Sequence, residues 1–306
     1  MMDRVTAGPL VSVLLTAYNR EAFIAESIES VLAQTFTDFE LIVSDDGSTD
    51  GTAGIACEFA RRDARVRVSV NERNLGDYPN RKRAACLARG QFLKYHDSDD
   101  VMYRHCLEVM VGALLAEPRA AVALSASHAW PGGKCPMLLT PKLAFEREYL
   151  GTGLFQLGPA AALFRTEVYR ELGGFPDEGV ASDLLFWIHA CSKVNVLLVP
   201  ADLFYYRIHS GQEYARPDNT IPYAQARAAA WKMLNSPECP LERDVLDRAK
   251  TNFLWAATRD AYRHLRRGRF SAAAATVRFL GLDVADWIRH LRPPNRDPNA
   301  GTPAES

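Results

Sequence analysis

The chain has 306 residues, 48% hydrophobic and 24% charged, with a formal net charge of −1, which is the composition of an ordinary globular protein able to bury a large core. That near-neutral balance, without a recognition motif or interleaved aromatic and basic residues, excludes an electrostatic footprint for nucleic acid. No apolar run approaches the about 20 residues of a membrane-crossing helix. The scattered cysteines (Cys57, Cys86, Cys106, Cys135, Cys191 and Cys239), with no C-x-x-C pair, read as core hydrophobes in a reducing compartment, so the expected location is cytoplasmic.

Val11 to Tyr18 is a near-continuous apolar run, the signature of a strand covered by helices on both faces rather than of a signal peptide. Asn19 can cap a helix across Arg20 to Gln34, where Phe23, Ile24, Ile28, Val31 and Leu32 recur at helical spacing. Glu40 to Ser44 is a second strand and completes a βαβ unit. The alternation continues with a helix near Thr52 to Arg62, a strand at Val66 to Val70, a helix near Asn80 to Arg89 and a strand at Gln91 to Tyr95. This predicts a doubly wound nucleotide-binding α/β fold.

A helix carrying Leu107, Met110, Val111 and Leu114 follows, then a strand over Ala120 to Ser125. Ala129 to Arg147 is interrupted by proline and glycine, has no clear period and reads as a mobile loop. Further strands are expected at Ala160 to Arg165, Val194 to Val199 and Leu203 to Arg207, with helices from Thr166 and over Asp183 to Cys191. From Ile221 to about Leu291 the sequence turns helical and rich in Ala and Arg. The expected domains are therefore a catalytic domain over 1–218, a helical C-terminal extension over 219–292 and a disordered Pro/Asn-rich tail over 293–306.

Two acidic clusters stand where strands end: Asp45-Asp46-Gly47-Ser48 and His96-Asp97-Ser98-Asp99-Asp100. In an open α/β sheet the ligand crevice lies outside the carboxyl ends of the parallel strands, and carboxylates converging there suit a metal-bound nucleotide. The first strand-to-helix turn, Thr16-Ala17-Tyr18-Asn19-Arg20, offers an aromatic ring and polar groups that suit a base and ribose. No G-x-G-x-x-G follows the first strand and no P-loop occurs, so dinucleotide oxidoreduction and P-loop phosphoryl transfer have no support.

The strings Val11-Ser-Val-Leu-Leu-Thr-Ala-Tyr-Asn, Ser27-Ile-x-Ser-Val-Leu-x-Gln-Thr, Asp45-Asp46-Gly47-Ser48-Thr49-Asp50 and Asp97-Ser98-Asp99-Asp100 occur in the order and spacing of the family 2 glycosyltransferases. Over roughly residues 9–210 the chain resembles that family, which implies a GT-A type fold and an inverting, metal-dependent transfer from a nucleotide-diphosphate sugar, most often a UDP-sugar. Deoxythymidine and guanosine donors stay open. The resemblance implies that Asp46 binds the base with Tyr18 against it, that Thr16, Ala17 and Asn19 lie along the nucleotide, and that Arg81 and Asp97 approach it. It makes Asp99 a direct ligand of Mn²⁺ or Mg²⁺ and Asp97 a ribose or metal contact, with His209, in Arg207-Ile208-His209, reaching the metal or diphosphate. Asp183, in Ser182-Asp183-x-x-x-Trp187, matches the family's catalytic base, although Ser182 stands where the family more often has glutamate. Asp45 reads as well as a turn former as a ligand.

The implied acceptor is a glycan or lipid-linked hydroxyl in surface polysaccharide synthesis. The C-terminal arginines (Arg259, Arg263, Arg266, Arg267, Arg269, Arg278, Arg289 and Arg292), with Phe270, Phe279, Leu282 and Trp287, suit a helix lying on an anionic membrane. They suit equally a cap on the catalytic domain or a homodimer contact. Rival readings are a non-catalytic nucleotide-sugar-binding module, a sugar nucleotidyltransferase, which lacks its Gly-rich phosphate loop here, and a phosphohydrolase built on His96-Asp97.

Overall fold

The computed structural model describes residues 8–126, 135–209 and 220–281. Strands β1 (Val11–Ala17) and β2 (Phe39–Asp45) are buried at every residue, as expected for strands sandwiched between helix layers. Between them α1 (Ile24–Leu32) buries Ile24, Ser27, Ile28 and Val31, one helical stripe. The helix α2 (Thr52–Arg62), β3 (Val66–Val70), α3 (Asp77–Leu87) and β4 (Phe92–Asp97) complete the first half.

The second half runs through β5 (Val101–Met102), α4 (Cys106–Ala116), β6 (Val122–Ser125), β7 (Met137–Leu139), α5 (Pro141–Leu150), β8 (Ala162–Arg165), α6 (Thr166–Glu171), α7 (Ser182–Cys191), β9 (Val196–Val199) and β10 (Phe204–Tyr205). The helices α8 (Thr220–Leu234), α9 (Arg243–Arg266) and α10 (Phe270–Leu280) follow. Among the described residues, none of these helices is long and apolar enough to cross a membrane.

Eight strands form one sheet in the order β3-β2-β1-β4-β8-β6-β9-β7, and β5 pairs with β10 apart from it. The first four are parallel, while β8 runs antiparallel to both β4 and β6. The register matters most: Ala17 is opposite Asp45, and Thr16 is opposite Asp97. The first turn and both acidic clusters therefore leave the sheet at the same level and on the same edge.

Alternate residues of β1 feed different cores, Leu14 packing with α3 and α7 residues such as Ala84 and Trp187, and Val13 and Leu15 packing with Ile28 of α1 and Leu107 of α4. The first core also takes in Ala230, Leu234, Leu241 and Ala249 from the C-terminal helical part.

Two sequence expectations are corrected. Residues 135–147 are not a loop: β7 pairs with β9, and α5 starts at Pro141 with the Thr140 side chain accepting from the Leu143 amide. Proline there opens a helix, because the first-turn amide it lacks has no intrahelical partner anyway. Residues 127–134 of the same stretch lie outside the described residues. The third helix begins at Asp77 rather than Asn80, since Gly76 (φ 100°) makes the break and Pro79 sits in the first turn. The proposed boundary near Pro217 falls partly outside the described residues, as do the residues from 282 onward, which hold the end of the expected helical extension and the tail.

Candidate active site

The carboxyl ends of β1, β2 and β4 open into a cleft of about 1520 Å³ bounded on its other sides by the start of α3, the segment before α7, and the helices α8 to α10. Thr16, Ala17, Tyr18, Asn19, Asp46, Arg81, Asp97, Asp99 and Asp183 all line it. His209 joins them through Asp99.

At one end Tyr18 is exposed, and Asn19 takes a left-handed conformation (φ 52°), which short polar side chains tolerate. Its Oδ1 accepts from the Thr49 amide at 2.9 Å and its amide donates to the Ser48 hydroxyl at 2.9 Å, tying the first turn to the second. The buried Asp46 carboxylate accepts from Asn71 Nδ2 (2.7 Å) and from the amides of Leu75 (2.9 Å) and Gly76 (2.9 Å). It thereby clasps the strand of loop that leads into α3. Asp45 turns inward instead, accepting from the Ser48 amide at 2.9 Å, a turn-forming bond.

Arg81 is almost fully buried, with Nε donating to Asp77 (2.9 Å) and Nη2 to Asp97 (2.6 Å). Burial works against its charge, but Asp77 and Asp97 outweigh it and hold the guanidinium firmly protonated. Burial likewise pushes Asp97 up, yet the arginine beside it keeps that carboxyl below the ordinary range. A buried cation held by two carboxylates is thus fixed in the cleft wall, and its Nη1 has no hydrogen-bond partner among the described residues.

The Asp99 carboxylate carries the other focus. Its Oδ2 meets Arg20 Nε at 3.1 Å and His209 Nε2 at 2.9 Å. The His209 ring lies 4.8 Å from Phe23, and Arg207 pins its segment by donating from Nε to the Asp99 carbonyl (2.9 Å) and from its amide to Asp100 Oδ1 (3.0 Å). Burial and the neighbouring charges of Asp97 and Asp99 push Asp100 up to about 8. Among the described residues no three His, Cys, Asp or Glu side chains form a group able to hold a metal on their own. One carboxylate and one imidazole at hydrogen-bond distance fit a divalent ion completed by phosphate oxygens and water, the usual state of Mg²⁺ at phosphate sites.

Across the cleft, Asp183 stands in the first turn of α7, where the helix dipole favours a carboxylate. Burial nevertheless raises it to about 6, against the pull of the Leu184 amide and the Arg81 charge. The helix is anchored behind it by Trp187, whose Nε1 donates to the Leu157 carbonyl at 2.7 Å and whose ring stacks on Phe164. Ser182 shapes the entry: its hydroxyl donates to the Gly179 carbonyl (2.7 Å) and accepts from the Glu178 amide (3.0 Å). At this position a serine closes the turn, and the nearby carboxylate lining the cleft is Asp177 instead.

Sequence reasoning gave Arg20 and Arg207 no role of their own and missed Tyr78 and the far wall formed by Tyr223, Arg227 and His264, where it read Arg269 only as one of the C-terminal basic residues. Arg20 and Arg207 had a usable signal, since each flanks a motif, but the carboxylates they meet lie far along the chain.

A family model described as Glycosyl transferase family 2 matches residues 12–173. The UDP-Glc:alpha-D-GlcNAc-diphosphoundecaprenol beta-1,3-glucosyltransferase WfgD of Escherichia coli is 39% identical over 106 residues, covering 35% of this chain and 41% of that protein. The poly(ribitol-phosphate) beta-N-acetylglucosaminyltransferase TarS of Staphylococcus aureus strain MW2 is 29% identical over 292 residues, covering 92% of this chain and 48% of that one. The chain thus spans less than half the length of these two relatives.

Among solved structures, S. aureus TarS 1-349 in complex with UDP-GlcNAc superposes with a TM-score of 0.68 at 22% identity, covering 92% of this chain and 81% of that one. A mannosyltransferase from Pyrobaculum calidifontis in complex with GDP-Man and Mn²⁺ superposes at 0.61 and 20% identity, covering 93% and 84%. The expected GT-A type α/β fold with a C-terminal helical region is the fold observed. With more than half of its 306 residues inside the family match, this chain belongs to glycosyl transferase family 2.

Proposed function

We propose that the chain transfers a sugar from a nucleotide-diphosphate donor, a UDP-sugar first among them, to an acceptor hydroxyl with inversion at the anomeric carbon, in the synthesis of a surface glycan. The observation that carries this is Asp183: a carboxyl raised to about 6 in the same cleft as the acidic strand ends. A base needs a pKa near the working pH and a clear line to the acceptor.

In this reading Asp183 takes the hydroxyl proton, the freed oxygen bonds to the anomeric carbon, and the bond from that carbon to the diphosphate oxygen breaks with its electron pair leaving on the nucleoside diphosphate. One displacement at the opposite face inverts the centre. Tyr18, with Thr16, Ala17, Asn19 and Asp46, holds the base and ribose, while Arg81 keeps Asp97 ionised and oriented toward the nucleotide. Asp99 and His209 would hold a Mn²⁺ or Mg²⁺, which supplies positive charge to the departing diphosphate. Arg20, already on Asp99, adds a second cation there.

A panel of nucleoside diphosphates with and without Mn²⁺ tests the donor half, because a ligand that binds only the folded state raises its apparent stability. Uridine diphosphate with Mn²⁺ is expected to raise the Tm most, and no shift with any member would end the reading.

A further inference from the structure

The cleft has two walls of opposite sign. The strand-end wall carries Asp97 and Asp99, whereas the wall made by the C-terminal helices carries Arg227, His264 and Arg269. On α8, Tyr223, Ala224 and Arg227 share one helical face, and α8 packs on α7 and on the segment just before Asp183. Arg227 therefore lines the same cleft as the base, on a helix packed against the one that carries it. Its guanidinium donates to Asp260, which also forms an ion pair with Arg263 at 2.7 Å, so a single carboxylate serves two arginines. Arg269 is exposed and has no ion pair among the described residues. The His264 ring faces three arginines (227, 267 and 269) against Asp260 alone, and burial with those cations holds its pKa below the ordinary value.

This excess of positive charge is not where the donor's diphosphate belongs in the proposed reading, since Asp99, His209 and Arg20 stand at the strand ends. A neutral glycan entering past α8 would leave the guanidinium forks facing sugar hydroxyls, and planar arginine forks match phosphate far better. Building on the transferase reading, we propose that Arg227 and Arg269 bind a phosphate group of the acceptor, which is therefore a phosphate-bearing polyol or sugar rather than a neutral glycan. The phosphate lies next to the accepting hydroxyl's own unit, because the basic wall adjoins the helix that presents Asp183.

The test uses the full chain with its donor end filled by UDP and Mn²⁺, so that an anion cannot bind there. Calorimetric titration compares a phosphodiester-linked glycerol phosphate oligomer with triglycerol, and farnesyl diphosphate with octyl glucoside. At least one anionic probe is expected to bind about tenfold tighter than its uncharged counterpart, and R227Q or R269Q to remove that preference. Preference for the oligomer identifies a phosphodiester chain as the source of the phosphate, and preference for the prenyl diphosphate identifies a lipid carrier; both support the proposal. Equal binding of charged and uncharged probes overturns it. So does a loss of UDP stabilisation in R269Q, whose side chain is exposed and whose folding is not at risk, for the arginines would then serve the donor. A wild-type chain that no nucleotide stabilises fails at the earlier step and condemns the transferase reading itself.

Discussion

Asp183 pays for its role in stability. Its folded pKa, about 6, lies above the ordinary aspartate value of 3.8, so the unfolded chain releases this proton first as pH rises. Folding is therefore favoured by this group below pH 4 and penalised progressively up to pH 6, a cost of up to about 3 kcal/mol at neutral pH. Asp183→Asn removes that charge while keeping the shape. We expect the variant to lose transfer activity by several orders of magnitude, to keep its nucleotide-induced Tm shift, and to melt higher than wild type at pH 7 but not at pH 4. For the wild type, kcat/KM should climb with pH through about 6 as the base ionises. A variant that loses the nucleotide shift instead would make Asp183 a binding residue.

At the scale of the element, the turn after β2 is held by a backbone contact. Gly47 has φ 70°, and a Cβ there would stand 2.9 Å from the Arg73 carbonyl carbon and 3.1 Å from the Asn74 amide nitrogen. Asp46 and Gly47 together press the 71–76 loop onto the strand end. Gly47→Ala is expected to destabilise by about 1–3 kcal/mol and to weaken nucleotide binding, because the displaced loop carries Asn74 and Gly76 of the cleft wall; equal Tm values for variant and wild type would refute the close contact.

Elements of this kind were legible to different degrees. The boundaries of α2 and β3 follow the sequence pattern, and β1 and β2 were readable because strands buried on both faces leave long apolar runs. The acidic clusters were readable because a parallel sheet sends its strand ends to one edge. The 135–147 stretch was not, since β7 has three residues and α5 begins on a proline. Neither was the pairing of Arg20 with Asp99 or of Arg207 with Asp99 and Asp100. Those contacts depend on which loops meet after the sheet forms, and no local period encodes them.

For the molecule as a whole, the division at residue 218 is the open structural question. The C-terminal helices do not sit apart from the nucleotide-binding body: Leu234, Leu241 and Ala249 join the core that holds Phe164, Phe186 and Trp187. Trp231 stacks on Phe253, Phe253 meets Tyr149 of α5 edge-on, and Lys142 pairs with Glu242 at 2.6 Å. Each large apolar side chain removed from such a core forfeits roughly 1.5–3 kcal/mol, and several such losses equal the whole stability of a typical domain, about 5–15 kcal/mol. We therefore propose that residues 220–281 fold as part of the catalytic unit. A chain cut after residue 218 is expected to be insoluble, or to lose its near-ultraviolet circular dichroism and cooperative melting. A truncated protein that melts cooperatively near the full-length Tm would instead make the helices an independent appendage, and the basic wall of the cleft would then be a later addition to a self-sufficient donor site.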